Sequence, residues 1–248
     1  MTQVALSDHE FVSQHRKIWA ARPELRSVYQ DWFKQLLRCV DGLYPIVEIG
    51  SGPGFFKEYC PHLISTDVVP SMYVDVVSDA CSLPFRPGTV GAFVMVDVLH
   101  HLPRPLEFMA EAARALCPGG RLAMIEPWIT APSYLLYRYF HHEDCFLKVD
   151  LRRPFNDLGK KAFDGNAAIP FRLLKQFKAG VPSLHLIQAD PFLGMPYLAT
   201  LGFRSARPIP QLMIRIAEVC ERLLSPVKNF GATRIHVVWE KALEGPTR

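Results

Sequence analysis

Residues 44–54, YPIVEIGSGPG, are the clearest indication of the fold of this chain. Its Val and Ile content predicts a buried strand over residues 44–49. That strand runs directly into three glycines, Gly50, Gly52 and Gly54, and a helix is predicted to begin near Phe55. Glycines let the backbone approach a ligand closely, and a helix N-terminus offers unpaired N–H groups. The stretch therefore predicts a ligand site at the carboxyl end of a strand.

The glycine spacing excludes two common kinds of nucleotide site. A dinucleotide fingerprint, G-x-G-x-x-G, needs its third glycine at position 55, where this chain has Phe55. A P-loop needs Gly-Lys-Ser/Thr after the turn, and none follows. Glu48, by contrast, adds a carboxylate two positions before the first glycine.

Outward from the glycine turn, short apolar runs alternate with helical patterns. Further strands are predicted over residues 63–66, 74–77, 92–96, 122–125 and 235–239, and helices over 8–40 (the second of two starting at Pro23), 106–116, 171–177 and 212–224. This alternation predicts an α/β fold with a doubly wound, mostly parallel sheet. We divide the chain into an N-terminal helical cover (1–43), an α/β core (44–127), an acceptor-side insertion with late core elements (128–231), and a final strand with a tail (232–248). Residues 127–203 otherwise lack a regular pattern.

Carboxylates follow three of the predicted strands. Asp67 comes after the second strand, Asp79 after the third and Asp97 after the fourth, with His100 and His101 close behind Asp97. Because ligands of such sheets lie outside the carboxyl ends of the strands, we expect these side chains to converge on one extended ligand.

Five segments together resemble a known family: EIGSGPG, TDVVPS, SDACSLPF, DVLHHLPRP and LCPGGRLAMIEP. They are similar to the class I S-adenosylmethionine-dependent methyltransferases, in particular the type 11 group, over about residues 44–127. The resemblance implies a Rossmann-like sheet of seven strands with the last one antiparallel, which suits residues 234–240. It also implies S-adenosylmethionine as the cofactor and S-adenosylhomocysteine as its product.

The resemblance further implies a set of cofactor-binding residues. These are Glu48, Gly50, Ser51, Gly52, Gly54, Asp67, Asp79, Ala80, Val96 and Asp97. Asp67 would hold the ribose hydroxyls, and Asp79 would meet the adenine amine with Ala80 beside the ring. Only 12 positions separate Asp67 from Asp79. This is too few for the helix that usually joins these strands in the family, so we expect a loop over residues 68–73.

The implied activity is methyl transfer to a small molecule, which needs a base when the acceptor is a hydroxyl. His100, His101 and Glu126 are the catalytic candidates, because histidine titrates near neutral pH and Glu126 ends the fifth strand. The two histidines could instead pack beside the cofactor, and Glu126 could be a plain strand-end carboxylate.

Acceptor binding is expected from the insertion. Its candidates are Trp128, Tyr137, His141 and His142. The aromatic residues could equally belong to the core. The histidine pair could belong to an active-site lid or to a solvated loop. We predict no metal site, because adjacent side chains point apart on any regular element.

Charge and composition narrow the remaining classes of function. Apolar residues make up 49% and charged residues 21% of the chain, as in folded globular proteins. Residues 1–127 hold 11 basic and 14 acidic side chains, whereas residues 128–248 hold 17 and 10, which favours an anionic acceptor. No secretion signal, spanning segment or zinc-type cysteine spacing is visible. The six cysteines are interpreted as reduced, mostly buried thiols of a cytoplasmic protein.

Three functions remain open. The leading hypothesis is O-methylation of a lipid, sugar-linked or secondary-metabolite hydroxyl, with a homodimer possible. A nucleic-acid methyltransferase is disfavoured, because Asp97-Val98-Leu99-His100 replaces the Asn/Asp-Pro-Pro-aromatic motif of base-amine methylation and no nucleic-acid module is visible. The third hypothesis is a non-catalytic, cofactor-binding regulatory protein.

Overall fold

A computed structural model describes residues 8–140, 144–153, 165–177, 183–204 and 206–243 of the chain. These residues contain seven strands and eight α-helices. The strands are β1 (Ile46–Ile49), β2 (Ile64–Asp67), β3 (Val76–Val77), β4 (Val90–Val96), β5 (Leu116–Pro127), β6 (Leu184–Phe192) and β7 (Arg234–Lys241). The helices are α1 (Asp8–Ala21), α2 (Pro23–Cys39), α3 (Pro105–Ala115), α4 (Ala131–Phe140), α5 (Ile169–Gln176), α6 (Met195–Thr200), α7 (Gln211–Leu224) and α8 (Lys228–Gly231). No helix among these residues is both long and apolar enough to cross a bilayer.

The strands form a single sheet in the order β3-β2-β1-β4-β5-β7-β6. Strands β1 to β5 run parallel, and β7 lies between β5 and β6, antiparallel to both. The predicted doubly wound, mostly parallel sheet of seven strands with an antiparallel last strand is therefore confirmed.

Strand β4 shows why both faces of the sheet are covered by helices. Its successive side chains point to opposite faces, as the strand geometry requires. Ala92 and Val94 join the apolar core that contains Leu36 of α2, whereas Phe93 and Met95 join the core that contains Phe108 of α3. All are fully buried, and the burial of each large apolar side chain stabilises the fold by about 1.5–3 kcal/mol.

The N-terminal helical cover forms as predicted, with Pro23 at the first position of α2. The junction between α1 and α2 is fixed by Arg22, which is completely buried. Its Nε donates to Glu24 Oε1 at 2.7 Å, and its other nitrogens donate to the carbonyl oxygens of Thr200 and Gly202 at 2.7 and 3.0 Å. These bonds tie the cover to the segment after α6.

Two predicted elements differ in the structure. The helix expected from Phe55 is a single 3-10 turn, Phe56–Glu58, because Pro61 follows closely and only nine residues separate Gly54 from β2. Phe55 stacks on Trp19 instead, with ring centroids 4.0 Å apart. The third strand is only Val76–Val77, a short edge strand with partial burial.

The prediction that residues 127–203 are largely irregular was wrong. This region contains α4, β6 and α6 in addition to the expected helix α5. Strand β6 was missed because it lies at the edge of the sheet, has only one buried residue and contains several polar residues and a proline. The thiols are also less buried than predicted. Cys145 is buried, and the other five cysteines are half-buried.

Candidate active site

The glycine turn after β1 leaves one position open. All three glycines have positive φ: +67° at Gly50, +48° at Gly52 and +73° at Gly54, a conformation that L side chains rarely adopt. A Cβ at Gly50 would lie 2.6 Å from Cγ2 of Val98, and one at Gly54 would lie 2.7 Å from Cβ of Tyr73. A Cβ at Gly52 would meet no atom within 4 Å. The outer two glycines therefore allow close packing, whereas Gly52 borders space that a ligand can fill.

Glu48 brings a buried, partly unsatisfied carboxylate to the start of this turn. Its Oε2 is buried and has no hydrogen-bond partner among the described residues. Burial raises the pKa of Glu48 to about 8, since a low-dielectric environment disfavours the charged form. Ser51, which follows Gly50, donates from its Oγ to the carbonyl oxygen of Thr66 at 3.1 Å. A buried oxygen without a partner, four positions before an open glycine, fits a bound ligand with a polar or cationic group.

Asp67 connects the glycine turn to the end of β2. Its Oδ2 accepts a hydrogen bond from the backbone N–H of Gly52 at 2.7 Å, and its Oδ1 accepts one from Val69 at 2.8 Å. No helix lies between Asp67 and Asp79, so the predicted loop over residues 68–73 is confirmed. The carboxylate is thereby held beside Gly52. Its role in binding the ribose hydroxyls stays a prediction.

Asp79 and Ala80 follow β3, as expected, but their environments differ. Asp79 is exposed. Its Oδ2 lies 3.1 Å from an Arg104 nitrogen, and its Oδ1 accepts from the Cys81 N–H at 2.8 Å. Ala80 packs in the core on the α3 side of the sheet.

Asp97 follows Val96, which is half-buried, at the end of β4 and has a left-handed backbone, with φ +56°. Its side chain forms an ion pair with Arg234, the first residue of β7, whose side chain is only 4% exposed. Sequence reasoning missed Arg234. The available signal was an arginine at the start of a strand whose other positions are mostly apolar.

Glu126, at the end of β5, is completely buried and joins three groups after β4. Its Oε1 accepts hydrogen bonds from the backbone N–H groups of Val98 and Leu99 at 2.8 and 2.7 Å. Its Oε2 lies 2.7 Å from Nδ1 of His100, which is also buried. This contact holds the His100 ring with Nδ1 toward Glu126 and Nε2 on the other side of the ring.

His101 lies beside this dyad and is half-buried, with its ring centroid 4.1 Å from that of His100. Gly165 covers both rings. A Cβ there would lie 2.8 Å from His100 Cδ2 and 2.8 Å from His101 Nδ1. The backbone N–H of Asn166 also donates to the carbonyl oxygen of His100 at 2.8 Å. The segment before α5 thus closes over the histidine pair, and only glycine fits at position 165.

Asp97, His100 and Glu126 each bring one potential metal-ligand atom within 4.8 Å of the others. These atoms are already engaged, since Asp97 is paired with Arg234 and Glu126 is bonded to His100 and two N–H groups. The cluster is a hydrogen-bonded network, and the expectation of no metal stays a prediction.

The acceptor candidates have different surroundings. Trp128 follows β5 and lines an open groove of about 400 Å³; the other lining residues are Ile129, Thr130, Ala131, Phe171, Pro191, Asn229 and Phe230. Tyr137 of α4 is buried, and its hydroxyl donates to the carbonyl oxygen of Thr233 at 2.7 Å. His141 and His142 lie outside the described residues. The acceptor roles of all four stay predictions.

The family model described as "Methyltransferase domain", of the type 11 group, matches residues 47–124. This stretch contains the glycine turn, all three strand-end aspartates and the histidine pair. A curated relative, an "Uncharacterized 37.1 kDa protein in transposon TN4556" of Streptomyces fradiae, is 39% identical over 62 residues. That match covers 25% of this chain, and the chain spans only 18% of the relative's length.

Solved structures share the fold at low sequence identity. Geranyl diphosphate C-methyltransferase from Streptomyces coelicolor A3(2) is 14% identical with a TM-score of 0.55, over 86% of this chain and 79% of that chain. A SAM-dependent methyltransferase from Archaeoglobus fulgidus is 16% identical with a TM-score of 0.52, over 87% and 94%. These likenesses show the fold that the motifs predicted.

Proposed function

We propose that the protein is a class I S-adenosylmethionine-dependent methyltransferase that transfers a methyl group to a small-molecule acceptor. The match of residues 47–124 to the type 11 methyltransferase domain supports this proposal. Two observations in the same glycine-rich segment carry the proposal: the open position at Gly52, and the buried Oε2 of Glu48, which has no partner among the described residues. When bound, S-adenosylmethionine supplies an electrophilic methyl group. Glu48, Ser51, Gly52 and Asp67 are the residues that would hold it.

We further propose that the acceptor atom is a hydroxyl oxygen, because the site contains a candidate general base that could remove the hydroxyl proton. In this proposal Glu126 accepts the Nδ1 proton of His100, so that Nε2 of the neutral ring is the proton acceptor. Glu126 acts through His100 and is therefore a positioning residue. His101 is half-buried, and its ring lies next to that of His100. His101 is our candidate for contact with the acceptor. A base of this kind typically adds about 10²- to 10⁴-fold in rate.

The remaining residues orient the acceptor and keep water out. Trp128 and Phe171 meet edge to face with ring centroids 5.1 Å apart, at the wall of the groove after β5. Orientation of two reactants in a dry site can lower the barrier by about 7–11 kcal/mol. The apolar lining favours a lipid or another acceptor with an apolar body, and the basic residues of 128–248 favour an anionic group on it.

The first experiment is calorimetric titration of the purified chain with S-adenosylmethionine and S-adenosylhomocysteine. The Gly52→Ala variant should lose binding, because its Cβ enters the open space beside the turn. Gly88→Ala is the matched control, since Gly88 also has positive φ (+69°) and no neighbour within 4 Å of a Cβ. It therefore imposes similar backbone strain at a distant loop. If the folded wild-type protein binds neither ligand, the proposal is wrong.

A further inference from the structure

Helix α7 turns an apolar face outward. Its exposed residues Leu212, Ile216, Val219 and Leu223 follow one another at intervals of four, three and four positions, which aligns them along one side of the helix. The buried side is small and consists of Ile214 and Ala217. A stripe of large apolar side chains, with Leu212 68% and Leu223 73% exposed, is unusual for a surface that contacts only water.

The opposite side of α7 explains why the helix keeps this orientation. Glu221 points inward and accepts hydrogen bonds from the backbone N–H groups of Leu193 and Met195 at 2.9 and 2.7 Å. These bonds cap the N-terminus of α6 with a carboxylate, and Ile214 packs on the same side. Rotation of α7 to bury its apolar stripe would break them, so the stripe is held at the surface.

Two further exposed apolar side chains follow α7 in the chain. Val227 is 50% exposed, and Phe230 of α8 is 80% exposed. We define the α7–α8 face as Leu212, Ile216, Val219, Leu223, Val227 and Phe230. One member of this face, Phe230, also lines the groove that Trp128 borders after β5.

Cationic side chains flank the α7–α8 face. Arg215 and Arg222 lie seven positions apart on one edge of it, both exposed, and neither forms an ion pair within the described part of the chain. Glu218, which is half-buried, is the acidic residue between them. Residues 128–248, which include this helix, have 17 basic and 10 acidic side chains.

The two arginines argue against a second copy of the chain as the occupant. In an antiparallel helix pair, each arginine edge would lie against its equivalent and repel it. In a parallel pair, Arg215 and Arg222 would lie opposite Cys220 and Val227, which offer no countercharge. An anionic bilayer surface, by contrast, accepts an apolar helix face between its head groups and attracts flanking arginines.

We propose that the α7–α8 face docks the protein on an anionic lipid surface, in the plane of the interface. Docking brings the groove lined by Trp128 and Phe230 to the bilayer. This inference rests on the proposed function. It identifies the acceptor as an amphiphile of the membrane, and the apolar part of that amphiphile would lie in the groove.

The test is flotation of the full chain with vesicles, either of phosphatidylcholine alone or of phosphatidylcholine mixed equally with phosphatidylglycerol. The protein should float with the anionic vesicles. Leu223→Gln should lower the partition coefficient about tenfold or more, because one exposed leucine no longer enters the interface. Arg215→Gln and Arg222→Gln should lower it about fivefold each. Leu243→Gln is the matched control, since Leu243 is 76% exposed after the far end of β7 and should leave binding unchanged.

Sedimentation and S-adenosylhomocysteine titration of the same samples separate the outcomes. The protein could fail to bind vesicles and instead form a dimer that Leu223→Gln weakens. That result would assign the α7–α8 face to a second copy of the chain and overturn the proposal. A monomeric protein that binds neither type of vesicle would also overturn the proposal. Cofactor binding without vesicle binding refutes only the membrane inference, whereas vesicle binding without cofactor binding refutes only the proposed methyl transfer.

Discussion

Arg234 and Asp97 form an ion pair in the interior of the protein, where the first residue of β7 meets the residue after β4. The guanidinium of Arg234 also lies over the rings of Tyr197 and Trp32, with its carbon 4.4 and 5.3 Å from their centroids. The pair thus connects two strands to helices α2 and α6. Asp97, which is expected to bind the cofactor, is therefore positioned by contacts that come from β7, α2 and α6.

We expect Asp97→Asn to lower the free energy of unfolding by about 3–5 kcal/mol, because it removes the carboxylate that faces the buried charge of Arg234. Arg234→Met should lower it by less, because the side chain of Asp97 is 22% exposed. Asparagine also tolerates the left-handed backbone at position 97, so Asp97→Asn isolates the loss of charge from backbone strain. Urea denaturation measures both effects. The double variant should lose much less than the sum of the two single losses, and an additive result would show that the pair does not interact.

The elements around the glycine turn could be predicted because their signals are local. The Val/Ile run before Gly50 and the helical stripe of α3 need no knowledge of distant residues, and both elements form close to the predicted bounds. Strand β6 could not be predicted in this way. It contains Asp190 and Pro191, which an edge strand accepts, and it exists because β7 pairs with it.

The candidate site shows the same division. Strand order places Asp67, Asp79 and Asp97 at or just after the carboxyl ends of parallel strands, as the sequence predicted. Their convergence on one ligand stays a prediction. What each carboxylate bonds to did not follow. Arg234 comes from a strand 137 positions beyond Asp97, and the bond from the Gly52 N–H to Asp67 depends on the conformation of a three-glycine turn.

Glu126 provides the second prediction. Glu126→Ala should lower the free energy of unfolding by about 3–5 kcal/mol, because two backbone N–H groups and His100 lose their buried acceptor. Glu126→Gln keeps an oxygen for the two N–H groups but loses the charge that orients His100. If Glu126 positions a base, Glu126→Gln should reduce kcat and shift its pH profile while KM for the cofactor stays constant. A variant that is merely less stable, with an unchanged pH profile, would contradict the positioning role.

Tyr137 provides the third prediction, which separates a structural role from acceptor binding. Tyr137→Phe should lower the free energy of unfolding by about 1 kcal/mol, because the hydroxyl no longer donates to the carbonyl oxygen of Thr233. Thermal unfolding measures this loss. Tyr139→Phe is the control on the same helix, since Tyr139 is 70% exposed. A Tyr137→Phe variant with normal stability but a raised KM for the acceptor would assign the hydroxyl to substrate binding.

Glu48 provides the fourth prediction, a dependence of stability on pH. Burial raises the pKa of Glu48 in the folded protein to about 8 from its ordinary value near 4.5. Between these two values the folded state binds the proton more tightly than the unfolded state. The contribution of Glu48 to stability is therefore fully present below pH 4.5 and is lost as the pH rises to about 8. Glu48→Gln removes this dependence on pH. Above about pH 8 the free energy of unfolding of the variant should exceed that of the wild-type protein by about 3–5 kcal/mol.

The same proton reports on cofactor binding. If Oε2 of Glu48 receives a cationic group of the ligand, binding near neutral pH should ionise the carboxyl and release up to one proton, because an opposite charge favours the ionised form. Titration with S-adenosylhomocysteine in buffers of different ionisation enthalpy measures that release directly. Glu48→Gln should abolish the release and weaken binding, whereas Ser78→Ala should change neither. Ser78 is the suitable control, because its hydroxyl is also buried without a partner in the described structure but follows the edge strand β3. An equal heat in all buffers for the wild-type protein would mean that Glu48 stays protonated and does not contact the cationic group.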